Sequence, residues 1–200
     1  MEAEKILLLD FIKTYDNPES IVLLEGKRSV PEEEQKSLIS LGKLLASATK
    51  HILFRSGNAP GADYLFSKGV ASVDSTRLQV IVPYKNHRQK ENLAYSTVSL
   101  NEINLLQEPE VVYESKANKK TAPLIDKYVS GDINSYTIKA SYIIRDTVKV
   151  LGAKDIPPAT FAIFYDDLSD PRKGGTGHTI HVCEKHGVCF IDQTVWMSWL

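Results

Sequence analysis

Cysteine is scarce in this chain. It carries two, Cys183 and Cys189, too few and too close together to staple a fold. Both read as small buried hydrophobes of a reducing compartment. No apolar run approaches the ~20 residues that a membrane-crossing helix needs. The start, Met1 to Lys5, is acidic and lacks the layout of a signal peptide. The expectation is a cytoplasmic protein with no membrane partner. A basic surplus is missing too. Lys and Arg total 24 against 25 Asp and Glu, for a formal net charge of −1, whereas dedicated nucleic-acid binders carry a clear excess of positive charge. Nucleic acid is therefore a disfavoured partner, with a local basic strip left open. There is no internal repeat and no low-complexity segment, which excludes a repeat array.

What is present is ordinary for a globular protein. Hydrophobic residues make up 42% and charged residues 24% of 200 positions, enough for one domain with a substantial core. We read residues 1–200 as that domain, with a core over 20–193, a short N-terminal helix and a tail whose Trp196 and Trp199 cover the core edge. Ile6 to Ile12 suits the N-terminal helix, which Asn17-Pro18 breaks. Ile21 to Leu24 is a β-prone run and the first strand. Ser29 with Glu32 fits a capping box for a helix reaching Ala48, with Leu38, Leu41, Leu44, Leu45 and Ala48 on its buried face. Ile52 to Phe54 is the second strand. A helix starts near Ala62, with Ala62, Leu65, Phe66, Gly69 and Val70 on one side. Leu78 to Val82 is the third strand.

The segment from there to about Gln107 reads as partly helical. Residues 108–120 read as a solvent loop with a short extended piece at Val111-Val112-Tyr113 and a solvated cluster of Lys116, Lys119 and Lys120. Helices follow over Pro123–Val129 and Ser135–Leu151. Ala159 to Tyr165 is the fourth strand, residues 177–186 a helix that Gly187 ends, and Val188 to Ile191 the fifth strand. Apolar strands alternating with helices place the chain in the α/β class, as a doubly wound parallel sheet with helices on both faces and strand order 3-2-1-4-5. In that order the loops after strands 1, 2 and 4 converge on one crevice.

Three glycine-bearing turns meet in that crevice: Gly26-Lys27-Arg28, Ser56 to Asp63, and Gly174 to His178. A strand that stops at glycine and turns into a helix aims backbone N–H groups at one spot, which suits a phosphate. The turn Gly174-Gly175-Thr176-Gly177 is the sharpest case. Its adjacent glycines admit a ligand to the backbone, Thr176 adds a hydroxyl, and the following helix dipole favours negative charge.

The stretches Ser56-Gly57-x-Ala59-x-Gly61-Ala62-Asp63, Tyr142-x-x-Arg145-Asp146 and Gly174-Gly175-Thr176-Gly177-x-Thr179 together resemble the SMF/DprA–LOG superfamily. The resemblance runs from about residue 20 to 193. It implies a Rossmann-like fold and a nucleotide or nucleotide-derived ligand. Members of the superfamily include nucleotide phosphoribohydrolases, single-strand DNA-binding recombination mediators and sensor domains. The ligand-binding set is then Gly26, Lys27, Arg28, Ser56, Gly57, Ala59, Gly61, Ala62, Tyr142, Arg145, Gly174, Gly175, Thr176, Gly177 and His178. The resemblance implies that Arg145 contacts a phosphate or sugar, and its planar fork suits phosphate. Tyr142 either stacks on a base or packs in the core.

The hydrolase branch of the superfamily has a pattern of the type Pro-Gly-Gly-x-Gly-Thr-x-x-Glu, with a catalytic glutamate. Here His178 replaces the threonine and His181 the glutamate. Cleavage of an N-glycosidic bond needs a carboxylate, so Asp63, Glu25 and His181 are left as catalytic candidates. Asp63 also suits a role in capping its helix or ordering the turn. The spacing of His178, His181 and Glu184 lacks a defined metal-ligand pattern, and no metal or cofactor is expected. The leading reading is a binding or sensor module for a nucleotide-like small molecule, with a homodimer allowed. A phosphoribohydrolase-like enzyme and a single-strand DNA binder are the alternatives.

Overall fold

The computed structural model describes residues 6–200, so the acidic start at Met1–Lys5 lies outside the described residues. One parallel sheet contains β1 (Ile21–Gly26), β2 (Leu53–Ser56), β3 (Leu78–Val82), β4 (Ser96–Ser99), β5 (Phe161–Tyr165) and β6 (Cys189–Ile191). Their spatial order is β4-β3-β2-β1-β5-β6. This corrects the expected order 3-2-1-4-5. The difference is β4, added at the β3 edge where helix was expected. Ser96-Thr97-Val98-Ser99 pairs on one side only, through contacts such as Val80↔Thr97 and Ile81↔Val98. With Val98 its one large apolar residue, this edge strand carries almost no period-2 signal.

Helices cover both faces. α1 (Leu8–Tyr15), α2 (Glu32–Ala48), α3 (Ala62–Asp74) and α8 (Gln193–Trp196) share a core with one face of the sheet. α4 (Pro109–Ser115), α5 (Ala122–Val129), α6 (Ile138–Leu151) and α7 (Gly174–Lys185) line the other. β1 shows the cause. Val22 and Leu24 enter the first core and Leu23 the second, all fully buried. A parallel strand covered on both faces reads as a continuous apolar run. Among the described residues, no helix is long and apolar enough to cross a membrane.

Several local expectations are corrected. Val111-Val112-Tyr113 is helical, within α4. Pro109 opens that helix, and burial of Val111 beside Ile144 and Val148 overrides the β preference of two adjacent valines. The N-cap of α2 is Pro31, without a side-chain cap, so Ser29 and Glu32 form no capping box. Glu34 instead accepts a 2.7 Å bond from the Tyr165 hydroxyl. Ala48 is exposed, and Ala46 takes its place in the core. Cys183 is buried but Cys189 is exposed, because β6 is a sheet edge. α7 begins at Gly174, so the glycine turn is itself the first helical turn.

α2 and α3 cross at glycine. A Cβ at Gly42 would overlap the Phe66 carbonyl, and one at Gly69 the Ile39 carbonyl. Gly69→Ala is therefore expected to lower the free energy of unfolding by about 1–3 kcal/mol through overpacking, although alanine is intrinsically the better helix former by about 1 kcal/mol. Urea denaturation checks this, and an unchanged or raised midpoint would contradict so close a crossing.

Candidate functional site

The carboxyl ends of β1, β2 and β3 meet the start of α6 and α7 at one end of the sheet. Asp63, in the first turn of α3 and 1% exposed, ties the turns together. Its Oδ1 accepts from the Gly26 N–H at 3.2 Å, and its Oδ2 from the N–H groups of Gly57 at 3.1 Å and Ala59 at 3.4 Å. Asp63 thus orders the turns after β1 and β2. The N–H groups that the sequence suggests as a phosphate cradle donate to the chain's own carboxylate. The Ala62 N–H donates to the Lys27 carbonyl at 3.1 Å, and Gly61, at φ +83, lies where a Cβ would overlap the Arg28 carbonyl. A Cβ at Gly57 would stand 2.9 Å from Asp63 Oδ2 and 3.1 Å from Arg145 Cζ. Glycine is required at these two positions for conformation and for closeness. Ser56 is fully buried, and its hydroxyl has no partner among the described residues.

Beneath these turns lies a buried ionic cluster. Arg145 is 4% exposed. It donates Nε and Nη2 to Asp146 Oδ1 at 3.1 and 2.7 Å, and Nη1 to the Gly57 carbonyl at 3.0 Å. Every guanidinium nitrogen faces the protein, not the crevice. Lys149, fully buried, places Nζ 2.6 Å from Glu25 Oε2 and 2.8 Å from Asp146 Oδ1. These are ion-pair contacts whose angles fall outside hydrogen-bond geometry. The Thr179 hydroxyl lies 3.0 Å from both Glu25 Oε1 and the Gly175 carbonyl. Burial raises the Glu25 carboxyl to about 8. Lys149 opposes this, and the negative charges of Asp146 and Asp63 add to it. Burial pushes Asp146 in the same direction, but Arg145 and Lys149 overcome it and hold that carboxyl at about 2. Lys149 stands above its usual value, because Asp146 and Glu25 outweigh its burial.

The remaining expected residues divide. Gly174–Gly177 open α7, and Asp146 Oδ2 lies 2.9 Å from where a Gly175 Cβ would stand. Asp166, Asp167 and Asp170 precede that turn. Lys27 Nζ is 3.7 Å from Asp167 and Lys173 Nζ 2.6 Å from Asp170. The chain's own carboxylates thus surround the helix start. His178 turns toward α6, its Nε2 2.8 Å from the Thr147 hydroxyl, and burial lowers its pKa. Thr176 is buried and His181 exposed. Glu25 and Asp63 belong to the buried cluster, and no hydrogen bond links His181 to either of them.

The structure assembles an aromatic group of which only Tyr142 is in the expected ligand-binding set. Tyr84 and His87, in the loop after β3, join Tyr142 of α6. The Tyr84 and Tyr142 hydroxyls are 3.3 Å apart. His87 meets both rings edge-on, with centroids 4.9 Å from Tyr84 and 5.6 Å from Tyr142. The Arg28 and Arg145 guanidinium carbons lie 6.0 and 5.7 Å from the Tyr142 centroid. Asn58, at φ 52, holds the loop by donating Nδ2 to the carbonyls of His87 and Arg88, each at 3.2 Å. Pro83-Tyr84 at the end of a central strand was the available signal, since ligands of doubly wound sheets sit beyond strand carboxyl ends. A cavity of about 590 Å³ lies at the opposite end of the sheet, bordered by Glu108, Val111 and residues 151–158. None of the residues above borders it.

No family model matches the sequence, and no curated protein matches it. Among solved structures, the chain is similar to DNA processing protein A from Helicobacter pylori, described for its single-stranded DNA binding mode. The identity is 11% and the TM-score 0.46, over 90% of this chain and 67% of that one.

The buried cluster makes stability depend on pH. Glu25 holds its proton more tightly folded, at about 8, than at its ordinary 4.5. Its contribution is therefore complete below pH 4.5 and is lost as pH rises through 8. Asp146 runs the opposite way, contributing fully above 3.8 and losing that contribution as pH falls through about 2. Between about pH 5 and 8, the unfolding free energy of the wild type is expected to decline more steeply than that of Glu25→Gln. Urea titrations across that range test the difference, and parallel profiles would contradict it.

Proposed function

We propose that the carboxyl end of the sheet binds a nucleotide or nucleotide-derived ligand, and that the protein acts as a binding or sensor module. The observation that carries this reading is the half-buried Tyr142 ring, with Tyr84 and His87 at its edge and the Arg28 and Arg145 guanidinium groups within 6.0 Å of its centroid. A base supplies a π-face to stack on such a ring, and its phosphate supplies charge for the neighbouring cations. Arg145, held by Asp146 and Gly57, supports Tyr142 from below. Arg28 is exposed and free to move toward a ligand. Lys27, half-buried, faces Asp167 instead.

A panel of mono- and dinucleotides, followed by thermal shift, tests the reading. A subset is expected to stabilise the wild type. Tyr142→Ala is expected to weaken binding by the equivalent of one lost stack, ~1–3 kcal/mol or roughly 5- to 150-fold, with the fold intact by circular dichroism. A melting temperature that no nucleotide moves would overturn the proposal. Release of free base from a nucleoside monophosphate would instead make the protein a hydrolase. Steeply salt-dependent binding of a single-stranded oligonucleotide, the ligand class named for the structural neighbour, would move the assignment to nucleic acid.

A further inference from the structure

We infer that Arg28, His87 and Arg88 form the phosphate-binding end of this pocket, and that His87 takes up a proton when a phosphate group occupies it. The inference rests on the ligand reading above and adds to it a subsite and a proton linkage.

Several other cations at this end of the sheet are already neutralised. Arg145 and Lys149 face Asp146 and Glu25, Lys27 faces Asp167, Arg172 faces Glu184, and Lys173 faces Asp170. Among the described residues, Arg28 and Arg88 have neither a carboxylate within ion-pair distance nor a side-chain hydrogen bond. The Arg88 Nε is buried with no partner at all. Neither ring nitrogen of His87 has a hydrogen-bond partner among those residues. Arg28 and His87 thus lie beside the Tyr142 ring with no hydrogen-bond or ion-pair partner for their side chains among the described residues, and Arg88, next to His87, keeps a buried Nε unsatisfied. The first turn of α7, the more obvious anion site, has Asp146 beside Gly175 instead.

The groups facing His87 come from every element around it. Tyr84 and Arg88 belong to its own loop, Tyr142 and Arg145 to α6, and Arg28 to the loop after β1. Asn58 of the β2 turn binds only its carbonyl. Burial, followed by the positive charges of Arg145, Arg88 and Arg28, pushes the imidazole down to about 4, so it is neutral at physiological pH. Neutral imidazole avoids a further like charge but offers only one N–H. A phosphate with charge of about −1.5 to −2 reverses the local field. That raises the imidazole's affinity for a proton, and the imidazolium form donates a charge-assisted bond to a phosphate oxygen. The proton comes from solvent. Proton and phosphate therefore bind with positive coupling, each strengthening the other by the same factor.

The test follows the His87 Cε1–H resonance through a pH titration, with and without inorganic pyrophosphate at roughly 10 mM, enough to occupy a millimolar site. Adenosine 5′-monophosphate and uncharged adenosine serve as parallel probes. In the free protein, His87 is expected to titrate near 4. Pyrophosphate or the monophosphate is expected to raise this by about one unit or more, and adenosine is expected to leave it in place. Each unit corresponds to about tenfold tighter phosphate binding at low pH. His87→Gln should retain pyrophosphate binding at neutral pH and keep only the pH dependence that comes from the ligand's own ionisation, with a second pKa of about 6. Arg28→Gln and Arg88→Gln should each weaken binding roughly tenfold. A His87 resonance that none of the anions shifts, or the same pH dependence in His87→Gln as in the wild type, would overturn the subsite. If nucleotides still stabilise the protein through Tyr142 in that case, only the subsite fails. If His87 responds to pyrophosphate while no nucleotide stabilises the fold, the nucleotide reading fails and the anion site stands.

Discussion

Two buried cations, Arg145 and Lys149, are paired with the buried carboxyl groups of Asp146 and Glu25, and the Asp63 carboxylate adds its charge to the field around them. Removing such charges from water costs several kcal/mol per ion, and only close pairing offsets that cost. The pairing therefore constrains the surrounding elements. Glu25 at the end of β1, Arg145 and Lys149 on α6, and Asp63 on α3 must all arrive in register. Gly57 is held from both sides, its N–H by Asp63 and its carbonyl by Arg145. α6 cannot slide along the sheet without stranding a charge in the interior, so Tyr142, one turn before Asp146, is fixed at the crevice.

This constraint redistributes the roles of the crevice. Groups that resemble an anion cradle, the N–H donors of Gly26, Gly57 and Ala59 and the guanidinium of Arg145, serve internal carboxylates. They make a rigid floor. The groups that the proposed ligand would meet are on the rim: Tyr142, and Arg28, His87 and Arg88 from the loops after β1 and β3. A rigid base beneath adaptable loops is a common arrangement for binding sites.

The sequence was informative where the local signal was strong and less so where burial or pairing decided. Ile21–Leu24, Leu78–Val82 and Ala159–Tyr165 announce inner strands, because a strand covered on both faces must be apolar throughout. Ser96–Ser99 does not, because an edge strand needs only one partner and little burial. Val111 and Val112 were misread because β preference is a weak influence beside packing against α6. At the site, Asp63 was legible as a turn-ordering residue, but the glycine turns read as a phosphate cradle, and only the structure shows the N–H groups of Gly26, Gly57 and Ala59 donating to Asp63. The inward direction of Arg145 was not legible either. Residue type and spacing name a guanidinium but say nothing of which carboxylate it meets. Lys149, three residues after Asp146 on the same helix face, was the visible hint that the helix carried an internal ion cluster.

By itself the sequence determined the alternation of apolar strands and helices, and the places where the chain must turn through glycine. Both are written in local preference and periodicity, which act over a few residues. Only the tertiary structure decided which charges would be buried and which left free. That choice depends on the approach of Glu25, Asp63, Asp146, Arg145 and Lys149 from separate elements, and on the desolvation that makes each pairing obligatory. Arg145 and Lys149 meet Asp146 and Glu25 in the interior, while Arg28 and Arg88 have no carboxylate within ion-pair distance among the described residues.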